Sequence, residues 1–228
     1  MNQYIQDCND AIKWAQGVLE SPNNYVILDT ETTGIGNDDR VIEISVIDLD
    51  KKPLINTRIK LTDSIHIPKE AYDIHGITAE SLADAPALSE IYNDILKVLQ
   101  DKIVLIYNAE FDLRLLKQTF DAEGLELPAF ESQCVMIQYS KFKGVWSDKY
   151  GDYLHQKLVG GDHSAFGDCK ATLKTILKLS KSKMKVPEFT IGNSIRNDLL
   201  ASLSKGFEDS SKSSNENAFS RFFRKLFK

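Results

Sequence analysis

Apolar residues near the start recur at close to helical spacing. Ile5, Ile12, Ala15 and Leu19 in YIQDCNDAIKWAQGVLE predict a helix over residues 4–20, which Ser21-Pro22-Asn23-Asn24 stops. The period then changes. YVILD (25–29) is a short apolar run with β-branched residues, and both VIEISVID (41–48) and LINTRIKL (54–61) alternate. Three strands in a row with short connections predict an antiparallel meander. A long loop follows, after which Ile91, Ile95, Val98 and Leu99 share one face of a helix over 89–99, and KIVLIY (102–107) reads as a buried strand. Helix signals return over 111–120, ended by Gly124 and Pro128, and over 165–178, with Ala171, Leu173, Ile176 and Leu177 as apolar positions. Strands first, then helices alternating with strands, predict an α/β chain with a mixed sheet covered by helices.

The stretches 180–185 and 204–217 are rich in Ser, Lys, Glu and Asn and read as linkers. The expected organisation is an N-terminal helix at 1–23 packing on the domain, a compact domain at 24–182, and a polar linker with a tail at 183–228. The last eleven residues, AFSRFFRKLFK (218–228), place Phe219, Phe222, Phe223, Leu226 and Phe227 at i, i+3, i+4, i+7 and i+8, with Arg221, Arg224, Lys225 and Lys228 elsewhere around the turn. An isolated helix this short is marginal in water, so this amphipathic basic segment is expected to dock on a partner protein, a membrane surface or nucleic acid.

Composition narrows the class. With 228 residues, 42% hydrophobic and 27% charged, and no apolar run near the roughly 20 residues of a membrane span, the chain is expected to be a globular cytoplasmic protein with no transmembrane segment. Three widely spaced cysteines, Cys8, Cys134 and Cys169, suggest neither a disulfide framework nor a zinc knuckle and are expected to be buried. From residue 181 onward there are ten Lys and Arg against five Asp and Glu, so the tail carries +5 and, with a total of −5, residues 1–180 carry −10. Phosphate binding normally relies on Lys and Arg. An acidic body that meets a polyanion therefore needs another cation, and a bound metal is one.

Acidic residues at strand and helix ends supply candidates for holding it. Asp29 and Glu31 are separated by one residue at the end of the YVILD strand, so period 2 points both carboxylates to one face. A hard divalent ion such as Mg²⁺ takes oxygen ligands from a few carboxylates and keeps positions for substrate. Asp112 in IYNAEFDLRLL lies in the first turn of the helix after the KIVLIY strand, where a negative charge also complements the helix dipole. In HSAFGD, His163 precedes Asp168 by five residues; a helix start near Ser164 leaves His163 in the loop and Asp168 in the helix.

These three segments, in this order and spacing, resemble the three motifs of the DEDDh 3′–5′ exonuclease family, which includes the proofreading epsilon subunit of bacterial DNA polymerase III and, more distantly, ribonuclease T. The resemblance runs from about residue 25 to 179 and takes in IPKEAYDIHGITAESLADAP between the first two motifs. It departs at Tyr107, where many members have His, and over 142–161. It implies a ribonuclease H-like sheet with flanking helices, in which Asp29, Glu31, Asp112 and Asp168 hold two Mg²⁺ or Mn²⁺ ions and His163 is the general base. A metal pair roughly 3.5–4 Å apart suits in-line attack on a phosphodiester, and imidazole with a pKa of about 6.5 suits proton acceptance at cellular pH. It further implies that Thr32 and Thr33 meet the terminal nucleotide and that Glu70 and His75 approach its sugar and base, while Phe111 is expected either to stack on a base or to pack in the core, and Asn108 either to bind substrate or to cap the helix. His66 and His155 carry no motif and are expected at the surface or in structural roles.

The expected activity is release of nucleoside 5′-monophosphates from DNA or RNA 3′ ends, in proofreading, repair or turnover, with a polymerase or membrane surface as a further partner through 218–228. Two alternatives use the same fold: a non-catalytic interaction module recruited through the tail, and a small-nucleotide phosphodiesterase using the same metals.

Overall fold

The computed structural model describes residues 3–61 and 66–186. The opening helix α1 (Gln3–Glu20) buries Cys8, Ala11, Ile12, Ala15 and Val18, a stripe at helical spacing, and a short 3₁₀ turn at Pro22–Asn24 leads into the sheet. Strands β1 (Tyr25–Thr32), β2 (Val41–Ile47) and β3 (Pro53–Arg58) form the antiparallel meander. β4 (Ile103–Ile106) and β5 (Glu131–Cys134) then add on the other side of β1 in parallel, giving the order β3-β2-β1-β4-β5.

Alternation along β1 divides the core. Val26 and Leu28 face a cluster that includes Leu88, Ile95 and Leu99 of α3 (Leu88–Leu99) and Leu115, Leu116 and Phe120 of α4 (Ala109–Ala122). Ile27 faces Ala11 and Ala15 of α1, Val135 and Tyr139 of α5 (Val135–Lys143), and Leu173 and Ile176 of α6 (Ala165–Ser180). Helices on both faces satisfy both sides of the central strands, which is why β1 and β4 read as apolar runs.

Several differences from the sequence reading have local causes. The region expected to be a long loop contains α2 (Lys69–His75), seven residues closed by Gly76 in the left-handed conformation, with only Ala71 buried. With one buried side chain, a helix leaves almost no apolar periodicity to read. β5 is ESQC, whose polar composition hides a strand recruited by pairing with β4. Between α5 and α6 a small hairpin, β6 (Trp146–Ser147) with β7 (Asp152–Tyr153), stands outside the main sheet. Of the cysteines, Cys8 and Cys169 are buried as expected, whereas Cys134 is half-buried, its thiol against the Tyr107 carbonyl at 3.3 Å.

After α6 the chain turns back along α1. Lys185 N–H donates to Asn9 Oδ1 at 2.7 Å and Asn9 Nδ2 donates to the Lys185 carbonyl at 2.8 Å. The amphipathic segment 218–228 and most of the linker lie outside the described residues. Among the described residues, no helix is long and apolar enough to cross a membrane.

Candidate active site

β1 outruns its parallel neighbour. Its pairing with β4 ends at Leu28↔Ile106, while its pairing with β2 continues through Asp29↔Ser45 and Glu31↔Glu43. The last turn of β1 therefore has an open edge on the β4 side, and carboxylates from both faces of the sheet converge there. Asp29 and Glu31 lie on the α6 face, as period 2 dictates, and meet Asp168 from the first turns of α6: one oxygen of each lies within 4.8 Å of the others. Thr30 points the opposite way, and its hydroxyl donates to Asp112 Oδ1 at 2.8 Å. Asp112 thus reaches the site from α4 on the other face, buried and held in place.

The carboxylates of the cluster perturb one another strongly. Burial first, then repulsion from Asp112, Asp168 and Glu31, pushes the Asp29 carboxyl well above the usual carboxylate range. Burial and the same neighbours, with Glu43, push Glu31 up to about 8, and burial raises Asp112 to about 7 against the hydrogen bond from Thr30. Burial also raises Asp168, opposed by the backbone N–H groups of His163 and Asp162. Carboxylates forced upward by one another need a cation to stay charged together. An all-oxygen donor set of this kind suits a hard divalent metal ion.

The loop before α6 is built around Asp168. Its Oδ1 accepts the backbone N–H of Asp162 at 3.0 Å and of His163 at 3.3 Å, and a Cβ on Gly161 would fall 2.2 Å from the same oxygen. Only glycine lets the loop close this tightly. Ser164 caps α6, its hydroxyl accepting Gly167 N–H at 3.0 Å. His163 sits just before this cap, exposed, with φ 58. Such a conformation is uncommon for a side chain other than Asn, Asp or His, and here it keeps the imidazole out of the helix at the rim of the carboxylates.

Of the other expected positions, His75 joins the site. Its Nε2 lies 3.1 Å from the Thr32 carbonyl and its Nδ1 accepts Ile77 N–H at 3.0 Å, an arrangement that fits the neutral ring protonated on Nε2. Burial lowers its pKa. Thr32 is buried with its hydroxyl donating to the Gly34 carbonyl at 2.8 Å. Thr33 is wholly buried, and its hydroxyl donates to Asp39 and accepts Arg40 N–H, so it braces the loop between β1 and β2. Glu70 is exposed in the first turn of α2, five residues before His75. Asn108 occupies the cap position of α4 without a side-chain cap bond. Phe111 packs partly against the core and lies 5.6 Å from the Arg114 guanidinium. His66 and His155 are exposed.

Glu43 is the site residue that motif reading missed. It pairs directly opposite Glu31, lies 3.8 Å from Arg58 Nε, and its Oε2 accepts Ala165 N–H at 2.9 Å. The signal was a lone carboxylate inside the apolar alternation VIEISVID.

The profile of the family described as Exonuclease matches residues 26–176, two thirds of the chain, and spans all three acidic segments. The chain belongs to the exonuclease family. This exonuclease is 34% identical to an uncharacterized exonuclease, CP81, of Escherichia phage 186 over 188 residues, covering 75% of this chain and 92% of that protein. It is also 39% identical to the DNA polymerase III subunit epsilon of Rickettsia conorii over 175 residues, 62% of this chain and 76% of that one. With the epsilon subunit of Rickettsia typhi the match is 41% over 95 residues and spans 42% of that protein. Among solved structures, E. coli Exonuclease I in complex with a dT13 oligonucleotide superposes with a TM-score of 0.57 at 16% identity, over 69% of this chain and 41% of that one. The nuclease domain of 3′hExo, a DEDDh family member, gives 0.50 at 11% identity, over 72% and 94%. These two share the fold, and the ribonuclease H-like architecture implied by the motif resemblance is borne out. The exonuclease is a hydrolytic nuclease.

Proposed function

We propose that the enzyme removes nucleoside 5′-monophosphates one at a time from the 3′ end of DNA, with RNA as the alternative sugar. The observation that carries this reading is the meeting of Asp29, Glu31 and Asp168 within 4.8 Å, with Asp112 beside them and His163 at the rim. Four carboxylates and an imidazole at one strand end suit hydrolysis of a charged ester better than binding alone.

Asp29, Glu31, Asp112 and Asp168 would hold the divalent ions, Mg²⁺ or Mn²⁺, and a pair would fit four such ligands. Such ions would supply Lewis-acid charge for phosphodiester hydrolysis and offset the −10 of residues 1–180 toward phosphate. His163 Nε2 or Nδ1 takes the proton from the attacking water, and its exposure lets that proton pass to solvent. The backbone N–H groups of Asp162 and His163 hold Asp168 Oδ1 in place, and the Thr30 hydroxyl orients Asp112. Thr32, through its backbone, and His75 form the wall that meets the terminal nucleotide, joined by Glu70, Asn108, Phe111 and the backbone at Thr33. The catalytic domain is 24–182 with the 1–23 helix packed on it, in a cytoplasmic protein. The 183–228 extension tethers the enzyme, its basic apolar end at 218–228 engaging a partner such as a polymerase or an anionic membrane surface.

Hydrolysis of 3′- and 5′-labelled single-stranded DNA and RNA with Mg²⁺, Mn²⁺ or EDTA tests this, alongside Asp29→Ala and His163→Ala. Stepwise, metal-dependent shortening from the 3′ end that both substitutions abolish is the expected result, with the DNA and RNA rates setting the sugar preference. Well-folded protein that cleaves neither polymer with either metal would overturn it.

A further inference from the structure

We propose that the β6–β7 hairpin is a stacking and phosphate-contacting surface for the stretch of nucleic-acid strand that trails from the 3′ end bound in the active site. This rests on the exonuclease reading and extends it from the terminal nucleotide to the strand behind it.

The hairpin presents two aromatic rings that stay largely exposed. Trp146 is 54% exposed and Tyr150 68% exposed, whereas the sheet and helices bury most other large apolar side chains. Two residue pairs cannot form a core, so a hairpin this small keeps its shape only through what it is fastened to. It is fastened at several points. Trp146 meets Tyr153 edge-on, with ring centroids 5.4 Å apart and planes at 88°, and the Tyr153 hydroxyl donates to Asp7 of α1 at 2.8 Å. Leu154 N–H donates to the Val145 carbonyl at 2.7 Å, and the turn closes on the Ser147 carbonyl through Tyr150 and Gly151, the latter at φ 65 where glycine is favoured. The result is a braced mount on which Trp146 and Tyr150 stay more than half exposed.

Charge selects the occupant. Over 141–157 there are four lysines, Lys141, Lys143, Lys149 and Lys157, against Asp148 and Asp152, in a body that is otherwise strongly acidic. Lys149 Nζ lies over the Tyr150 ring, 5.0 Å from its centroid, so a cation is held against one ring face beside the exposed ring. Flat rings interleaved with lysines match the alternation of bases and phosphates along a single strand, and base stacking on such rings tolerates any sequence. That tolerance is what an enzyme that removes successive nucleotides requires.

The hairpin also shares a strap with the catalytic loop. From Tyr153 the chain runs to Gln156, whose carbonyl accepts the Tyr107 hydroxyl at 2.8 Å, and then to Gly161 and His163. Tyr107 directly precedes the Asn108 cap of the helix that carries Asp112. A strand lying on Trp146 and Tyr150 is therefore held on the segment that leads to the general base.

The test is fluorescence anisotropy with the full chain, Ca²⁺ replacing Mg²⁺ to suppress turnover. The probes are an oligothymidylate of roughly 20 nucleotides, longer than a stacking surface of this kind, and one of roughly three, which is shorter. The Trp146→Ala/Tyr150→Ala variant is expected to bind the long probe about tenfold more weakly and the short one unchanged, with Trp146→Phe restoring most of the loss. Lys149→Ala is expected to reduce the slope of log affinity against log salt by about 0.7. Turnover of the p-nitrophenyl ester of thymidine 5′-monophosphate, which has no trailing strand, should be unchanged in every variant and reports an intact fold and site. Equal long-probe affinity in variants that retain ester turnover overturns the proposal and leaves the aromatic pair to a protein contact. Equal loss on both probes overturns it too. Wild-type protein that binds the long probe more tightly than the short one but cleaves nothing in Mg²⁺ refutes the exonuclease reading and leaves this surface standing.

Discussion

Glu43 of β2 accepts the first backbone N–H of α6, at Ala165, across 2.9 Å. Two of the clustered carboxylates, Asp29 and Glu31, sit on the strand beside Glu43 and a third, Asp168, on the helix it anchors, so this contact spans the joint on which the cluster depends. The helix has other fastenings, including the Cys169 thiol against the Ile27 and Ser45 carbonyls, so the fold does not rest on Glu43 alone.

Glu43→Ala is therefore expected to lower kcat by roughly 10- to 100-fold, the usual cost of removing a residue that orients metal ligands, with a much smaller change in KM. Glu43→Gln keeps an oxygen that accepts Ala165 N–H and should recover most of the rate. Steady-state kinetics on both variants checks this, and a glutamine variant as slow as the alanine one would show that the charge, not the anchor, matters.

Stability without metal should fall as pH rises. Glu31 is raised from 4.5 to about 8 and Asp112 from 3.8 to about 7, so between these limits the folded state binds more protons than the unfolded chain. The slope of unfolding free energy with pH is then negative, and stability present below about pH 4 is lost progressively toward pH 8. Thermal melts in EDTA across pH 5–8 should show a falling Tm, and Mn²⁺ should raise Tm more at pH 8 than at pH 5, because the ligands bind metal as carboxylates. A Tm in EDTA that rises over this range contradicts the raised carboxyls.

His163→Asn should separate chemistry from conformation. Asparagine tolerates the left-handed backbone seen at His163, so the melting temperature should stay within a few degrees. Loss of the proton acceptor should lower kcat by about 10²- to 10⁴-fold. Rates within threefold of wild type would remove His163 from the role of base.

Gly161→Ala tests the packing under Asp168. Its Cβ would lie 2.2 Å from Asp168 Oδ1, so either the loop or the carboxylate must move. Mn²⁺ affinity measured by calorimetry should fall at least several-fold while the melting temperature changes little, since the loop is exposed. Unchanged affinity would mean the loop yields without moving the ligand.

The sequence by itself determined the elements with strong periodicity and the chemistry attached to them. Helix α1, the three-strand meander, α3, β4, α4 and α6 were legible because each has enough apolar positions to impose a period of 2 or 3.6, and because Asp29 and Glu31 inherit their common face from the strand. Short or polar elements were not: α2 buries one side chain, and the ESQC strand exists because β4 offers it an edge. Nor does local pattern reveal that Thr30 would hold Asp112, that His75 would reach the Thr32 carbonyl, or that Glu43 would anchor α6. Those contacts join residues 43 to 122 positions apart, and only the packing of helices on both faces of a strand that outruns its neighbour brings them together.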